Sequence, residues 1–239
     1  MKKIAAIVPA YNEERAIAGV VNQIHASAEK EQLNIDVIVI NDCSTDRTSE
    51  ITAGLKCITL ELPVNLGIGG VVQCGFQYAY NNGYDLAIRL DGDGQHPPEE
   101  IHKLINAYNE GAGDVIIGSR FLNHSGFQSS PMRRIGIGYF KMINKLFTGK
   151  TITDCTSGFQ LLNRKALAIA IDYYPDEYPE PESVVLFTKR NLKISEVAVT
   201  MKERQGGKSS INNIASIYYL LKVSLAIFFT FSRLLTSKK

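Results

Sequence analysis

LAIRLDGDGQHPP, residues 86–98, sets an apolar run directly before two carboxylates, Asp91 and Asp93, that flank Gly92. Buried strands of parallel sheets read as short continuous apolar runs, and ligands of such sheets gather beyond the strand's carboxyl end. Residues 86–90 therefore predict a buried strand that delivers both aspartates to a ligand. Two hard oxygen donors one residue apart suit Mg2+ or Mn2+ held between protein and phosphates, with Gly92 and Gly94 permitting close approach and Gln95 adding a neutral oxygen. Taken alone, the Asp-Gly pair also fits a solvated turn closing a hairpin.

On the amino-terminal side, residues 4–8 predict a first buried strand. Ile17, Val20 or Val21, Ile24 and Ala28 follow at helical spacing, with Glu13 and Glu14 in the first turn. Residues 35–40 predict a second strand, and Ser44-Thr45-Asp46 offer caps for a helix reaching Leu55. Residues 57–62 read as a third strand, and the glycine-rich NLGIGG leads into a helix over 71–81.

On the carboxyl side, Pro97-Pro98-Glu99-Glu100 starts a helix whose face carries Ile101, Leu104, Ile105 and Tyr108. Residues 114–118 predict the next strand, 133–147 a helix and 193–201 a further strand. Such alternation argues for an α/β fold: a mostly parallel sheet with helices on both faces.

The 239 residues suffice for one large α/β domain. The net charge of +2 hides an asymmetry, because six Lys or Arg residues and no acid follow Glu203. That basic tail lacks dense cation clusters and is interleaved with apolar residues, which favours an anionic membrane surface over nucleic acid. Cys43, Cys57, Cys74 and Cys155 are scattered, so neither a zinc site nor a redox pair is indicated. The opening run breaks at Pro9 and meets Glu13 too early for a signal-peptide core. Two nucleotide motifs fail: the dinucleotide fingerprint would need glycine at Val72, and a phosphate loop would need one at Lys202.

Seven segments in order, IVPAYNEE, VINDCSTDRT, NLGIGG, LDGDGQHPPEE, GSRF, DCTSGFQLLNR and RQGGKSS, resemble a family 2 glycosyltransferase with a GT-A (Rossmann-like) fold. Within that family the pattern is most similar to dolichol- and polyprenyl-phosphate mannosyl- and glucosyltransferases. The resemblance implies that Pro9, Tyr11 and Glu13 hold the base and ribose of a nucleotide sugar and that Asp42 reads the base; by its position alone Asp42 also fits a helix cap. It implies that Asp91, Asp93 and Gln95 bind a divalent ion that neutralises the diphosphate leaving group. Arg120, Arg133, Arg204 and Lys208 match basic positions that grip phosphates of the donor or of a lipid-phosphate acceptor, with Arg134 competing for the role of Arg133. Ser157-Gly158 shapes the acceptor side or makes a simple turn.

The departures bear on the acceptor. Ile68 stands where many relatives carry lysine, Gln160 where many carry arginine, and 178–182 reads YPEPE where an apolar stretch is usual. A phosphate acceptor is already an anionic nucleophile; a sugar hydroxyl needs a carboxylate to take its proton, and Glu180 or Glu182 lies where hydroxyl-accepting relatives carry one. Both also fit an exposed, proline-stiffened loop.

The expected organisation is a glycosyltransferase domain over 1–210 and a basic, apolar, amphipathic helix over 211–239. In residues 214–235 Lys222 sits near the middle, so an interfacial helix at the cytoplasmic face of a membrane fits better than a span, with a core or homodimer helix as the alternative. The expected activity is inverting, metal-dependent transfer of a hexose from a nucleoside diphosphate sugar to a polyprenyl phosphate or lipid-linked glycan. The competing readings are transfer to a sugar hydroxyl in a surface polysaccharide, and a catalytically idle nucleotide-binding or scaffold protein.

Overall fold

A computed structural model describes residues 2–123, 131–201 and 213–236, with the backbone alone for 131–135, 213–219 and 235–236. Among them, strands β1 (Ile4–Ala10), β2 (Ile35–Asn41), β3 (Ile58–Glu61), β4 (Leu86–Arg89), β5 (Val115–Ser119), β6 (Gln160–Asn163) and β7 (Ile194–Ala198) form one sheet. Its order is β3-β2-β1-β4-β6-β5-β7. Between and after them run helices α1 (Ile17–Lys30), α2 (Thr48–Ala53), α3 (Gly67–Asn81), α4 (Ile101–Asn109), α5 (Pro131–Thr148), α6 (Arg164–Asp172), α7 (Pro179–Lys189) and α8 (Asn213–Thr236).

Strand pairs β1/β2, β1/β4, β2/β3 and β5/β7 are parallel, as the apolar runs predict. Every residue of β1 is buried because the sheet is covered on both faces. Side chains alternate along a strand: Ala5 and Ile7 join a core with Phe76 of α3, Leu167 of α6 and Val185 of α7, while Ile4, Ala6 and Val8 join one with Ile24 of α1 and Leu104 of α4. The exception in direction is β6, which lies antiparallel between β4 and β5. Its four residues were absent from the pattern reading, as were α6 and α7. Two boundaries also move. Helix α1 begins at Ile17, so Glu13 and Glu14 precede its first turn, and α3 begins at Gly67, taking in the glycine-rich segment.

The tail helix α8 packs on α5 and α7, burying Val223, Ile227 and Thr230. Val223 and Ile227 belong to the same core as the sheet. No helix among the described residues is long and apolar enough to cross a membrane. Two of the tail's cations have partners on the protein surface: Lys222 Nζ lies 2.6 Å from Glu177 Oε2, and the Arg233 guanidinium stacks 4.4 Å over the Tyr173 ring. Lys238 and Lys239 lie outside the described residues. Outward, α8 shows Leu221, Leu225, Phe228 and Phe229 beside Met142 and Leu146 of α5, all exposed.

The YPEPE segment is no exposed loop. Pro179 opens α7, where its missing N–H costs nothing, and the prolines and Glu182 are buried. Two residues apart on a helix means roughly 200° of rotation, so Glu180 and Glu182 point to different sides. Glu182 turns to α8, where its Oε2 accepts the Thr230 hydroxyl at 2.8 Å. Burial pushes its carboxyl up from 4.5 to about 7. Between those values the folded chain keeps a proton that the unfolded chain has released, so this group's contribution to stability falls as pH rises. Glu182→Gln removes the charge that burial disfavours. Its urea midpoint relative to wild type is expected to be higher at pH 8 than at pH 5, and an equal difference at both pH values would contradict the burial of Glu182 against α8.

Candidate active site

Strand β1 is flanked by β2 on one side and β4 on the other, and the chain crosses from β3 to β4 between visits to the two sides. A crevice opens where strand order reverses in this way, beyond the carboxyl ends. Residues following β1, β2 and β4 meet there. The Asp42 N–H donates to Ala10 O at 2.8 Å, joining the ends of β1 and β2. A Cβ at Gly92 would lie 2.8 Å from Pro9 O and 3.6 Å from Glu13 Cγ, so only glycine lets the turn after β4 close on β1.

The rim is knitted by hydrogen bonds between two loops. Thr45 N donates to Asn12 Oδ1 at 2.8 Å, Glu13 N to Thr48 Oγ1 at 2.9 Å, and Glu14 N to Asp46 Oδ2 at 3.1 Å. Pro9 is buried inside β1, while the Tyr11 ring at the rim is 50 % exposed. The fold thus gathers Pro9, Tyr11, Glu13, Asp42, Asp91, Asp93 and Gln95 at one end of the sheet.

Asp42 is a cap, but not of the helix that follows it in sequence. Its two carboxylate oxygens accept Leu66 N at 2.7 Å and Gly67 N at 3.1 Å, at the start of α3. Gly69 N donates to Asp176 O at 2.9 Å, and a Cβ on Gly69 would fall 2.1 Å from Pro175 O. The Leu66, Gly67 and Gly69 amides are therefore engaged within the protein. The glycine is there for packing.

At the end of β4 the hairpin alternative fails, since the chain proceeds through a short 3-10 turn at Pro98–Glu100 into α4. Asp93 is buried and its Oδ1 accepts Gln95 N at 3.0 Å. Asp91 N donates to His96 Nδ1 at 2.9 Å, so the hydrogen of the neutral imidazole resides on Nε2, which faces Asp91 Oδ2 at 3.6 Å. Burial holds this imidazole below its ordinary pKa. His96 also stacks on Phe159, with ring centroids 5.5 Å apart.

Beneath Asp91 lies Arg89, a residue that the motif reading passed over. It is 1 % exposed, and its Nη2 sits 2.6 Å from Glu180 Oε1 and 3.3 Å from Asp91 Oδ1. The signal was in the sequence: a guanidinium inside the apolar run LAIRL requires a carboxylate partner. Glu180 is that partner. Glu182, facing α8, is not brought to this cluster.

Other basic positions fare differently. Arg120 is not an open phosphate grip: its Nε and Nη2 form a bidentate pair with the buried Asp154 at 2.7 and 2.6 Å, and Nη2 also reaches Thr156. Arg133 lies in α5 where only the backbone is described; Arg204 and Lys208 lie outside the described residues. Ser157 makes a turn, its hydroxyl donating to Gly118 O at 2.6 Å, while a Cβ at Gly158 would come within 3.0 Å of Arg89 Nη2 and 3.2 Å of His96 Cε1.

Among the described residues no group of three or more His, Cys, Asp or Glu side chains is arranged to hold a metal ion by itself. With His96 Nδ1 occupied, the local donors are oxygens, from Asp91, Asp93 and Gln95. Such a partial, hard set fits Mg2+ or Mn2+, which keep positions for phosphate and water and need only one or two protein carboxylates.

Comparison with known proteins agrees with this geometry. Residues 5–169 match glycosyl transferase family 2. The UDP-N-acetylglucosamine–dolichyl-phosphate N-acetylglucosaminyltransferase of Methanococcus voltae is 30 % identical over 219 residues, 83 % of this chain and 85 % of that protein. The undecaprenyl-phosphate mannosyltransferase of Micrococcus luteus is 26 % identical over 219 residues, 88 % of each. In structure, glucosyl-3-phosphoglycerate synthase from Mycobacterium tuberculosis with phosphoglyceric acid superposes with a TM-score of 0.73 at 16 % identity, over 95 % of this chain and 80 % of that one. The same enzyme in complex with Mn2+, uridine diphosphate and phosphoglyceric acid gives a TM-score of 0.70 at 16 % identity, over 96 % and 78 %. The fold is thus GT-A, and with its crossover at β1/β4 and its paired aspartates beyond β4, the chain belongs to glycosyl transferase family 2.

Proposed function

We propose that this chain transfers a hexose, with inversion, from a nucleoside diphosphate sugar to a polyprenyl phosphate or a lipid-linked glycan, using Mg2+ or Mn2+. One observation carries the reading: Asp91 and Asp93 stand beyond β4 at the point where strand order reverses, within reach of the loops after β1 and β2. Relatives named for dolichyl-phosphate and undecaprenyl-phosphate transfer support the acceptor class. A solved structure of the same fold, in complex with Mn2+ and uridine diphosphate, supports the metal.

In this reading Tyr11 and Glu13 line the base and ribose, and Asp42 uses the lone pairs not engaged by Leu66 and Gly67 to read the base. Asp91, Asp93 and Gln95 hold the divalent ion, which supplies Lewis-acid neutralisation of the diphosphate as it leaves. The candidate general bases argue for a phosphate acceptor. Glu180 is tied to Arg89, and Glu182 faces the tail helix, so neither carboxylate is poised to take a hydroxyl proton. A phosphate oxygen needs no base. Arg133, Arg204 and Lys208 are the cations proposed to grip phosphates; Arg120 would act as a brace through Asp154.

A lipid-linked acceptor requires the enzyme to meet a membrane. The exposed apolar side chains of α5 and α8, Met142, Leu146, Leu221, Leu225, Phe228 and Phe229, form a surface suited to the headgroup boundary at the cytoplasmic face, where soluble donor and lipid acceptor meet.

Asp93→Asn keeps the side chain's volume and its acceptor for Gln95 N but removes the charge. Turnover is expected to fall on the order of 10²-fold or more, with an unchanged melting temperature. Wild-type turnover in the variant, or in enzyme stripped of metal by chelation, would contradict the metal role. For the surface, wild-type protein is expected to float with anionic phospholipid vesicles, and the doubly exposed-site variant Leu225→Ser/Phe229→Ser to remain at the bottom of the gradient. Failure of the wild type to float would remove the membrane reading.

A further inference from the structure

We propose that Glu180 is a positioning residue that draws the Arg89 charge away from Asp91 and thereby sets how tightly the site holds a divalent ion. The inference rests on the metal reading above and deepens it.

Arg89 lies on the central strand β4 and is 1 % exposed. A guanidinium does not deprotonate in a protein, so its positive charge is permanent. Two carboxylates share its Nη2, and the sharing is unequal: Glu180 Oε1 at 2.6 Å and Asp91 Oδ1 at 3.3 Å. The guanidinium has little freedom to leave, because Gly158 passes so closely that a Cβ there would lie 3.0 Å from Nη2. A cation confined beside a metal-binding carboxylate opposes the metal twice. It occupies lone pairs on Asp91 and adds like-charge repulsion in a poorly screened interior.

Glu180 offsets both effects. From the first turn of α7 it meets the same nitrogen as Asp91 at the shorter distance, so the Arg89 charge is taken up chiefly by Glu180 and Asp91 keeps more of its own charge for the ion. Stability alone does not account for the pair. Arg89 Nε and Nη1 make no hydrogen bond of good geometry with the described residues, and a buried ion pair is often no more stabilising than an apolar substitute of similar size. The pair therefore makes sense through what it does to Asp91. Glu180 then differs from a general base in a measurable way: it governs metal affinity rather than the proton of the acceptor.

The test is Mn2+ titration of the full-length chain by electron paramagnetic resonance, alone and with UDP, GDP or dTDP, with melting temperatures recorded in parallel. Glu180→Gln leaves the Arg89 charge to Asp91 and is expected to weaken Mn2+ binding roughly 10–100-fold, the usual range for loss of an outer partner of a metal ligand. Arg89→Met/Glu180→Gln removes both charges and is expected to bind Mn2+ within a few-fold of wild type. Raising Mn2+ is expected to return turnover to Glu180→Gln, whereas loss of a base would depress turnover at every metal concentration. Wild-type Mn2+ affinity in Glu180→Gln, or weak binding that persists in the double variant, overturns the proposal while leaving the metal site standing. If Glu180→Gln fails to fold, the double variant decides alone, and its loss of Mn2+ binding overturns the proposal. Absence of Mn2+ binding by the wild type overturns the metal reading and this inference together.

Discussion

Parallel pairing of β1 with β2 on one side and β4 on the other fixes where this molecule can act. Because all three strands run the same way, their carboxyl ends coincide, and the loops that follow must share one crevice. Pro9 and Tyr11, Asp42, and the Asp91-Gly92-Asp93 turn come from widely separated parts of the chain, yet the register of three strands brings them together. The turn closes only because Gly92 carries no side chain toward Pro9 O. The gathering of these residues at one end of the sheet follows from a topological constraint that hydrophobic burial enforces on both faces.

A second theme is the pairing of buried charge. Arg120 with Asp154, and Arg89 with Glu180 and Asp91, place guanidinium groups in the interior where each must find a carboxylate. The Arg120 pair is bidentate and closes on itself, tying β5 to the loop before β6. The Arg89 cluster is not closed in that sense, since one of its carboxylates belongs to the candidate metal site. Buried electrostatics thus divides into a brace and a cluster that reaches the candidate metal site. Asp42, committed to the start of α3, shows the same economy with backbone amides.

Much of the fold was legible because parallel strands buried on both faces write themselves as unbroken apolar runs, and β1, β2, β4 and β5 do so. Strand β6 was not, for a physical reason: four residues, QLLN, carry too little pattern, and their place between β4 and β5 is decided by long-range pairing. Glu180 and Glu182 looked equivalent in sequence, and only the helical phase of α7 separates the one facing Arg89 from the one facing Thr230. The packing role of the glycine-rich segment was not legible, because the partners of its amides, Asp42 and Asp176, are distant in sequence. Arg89 was readable in principle, as a charge within an apolar strand. The positions at Arg204 and Lys208 lie outside the described residues, and that of Arg133 is described by its backbone alone.

The central claim is that a nucleoside diphosphate and a divalent ion are held jointly beyond the ends of β1 and β4. The most direct measurement is anomalous diffraction from crystals of the full chain soaked with Mn2+ and a nucleoside diphosphate. The account predicts a manganese peak coordinated by carboxylate oxygen of Asp91 or Asp93 and by the diphosphate, with the base beside Asp42. A nucleotide bound there with no manganese between it and the aspartates, or a manganese peak elsewhere on the chain, would contradict it.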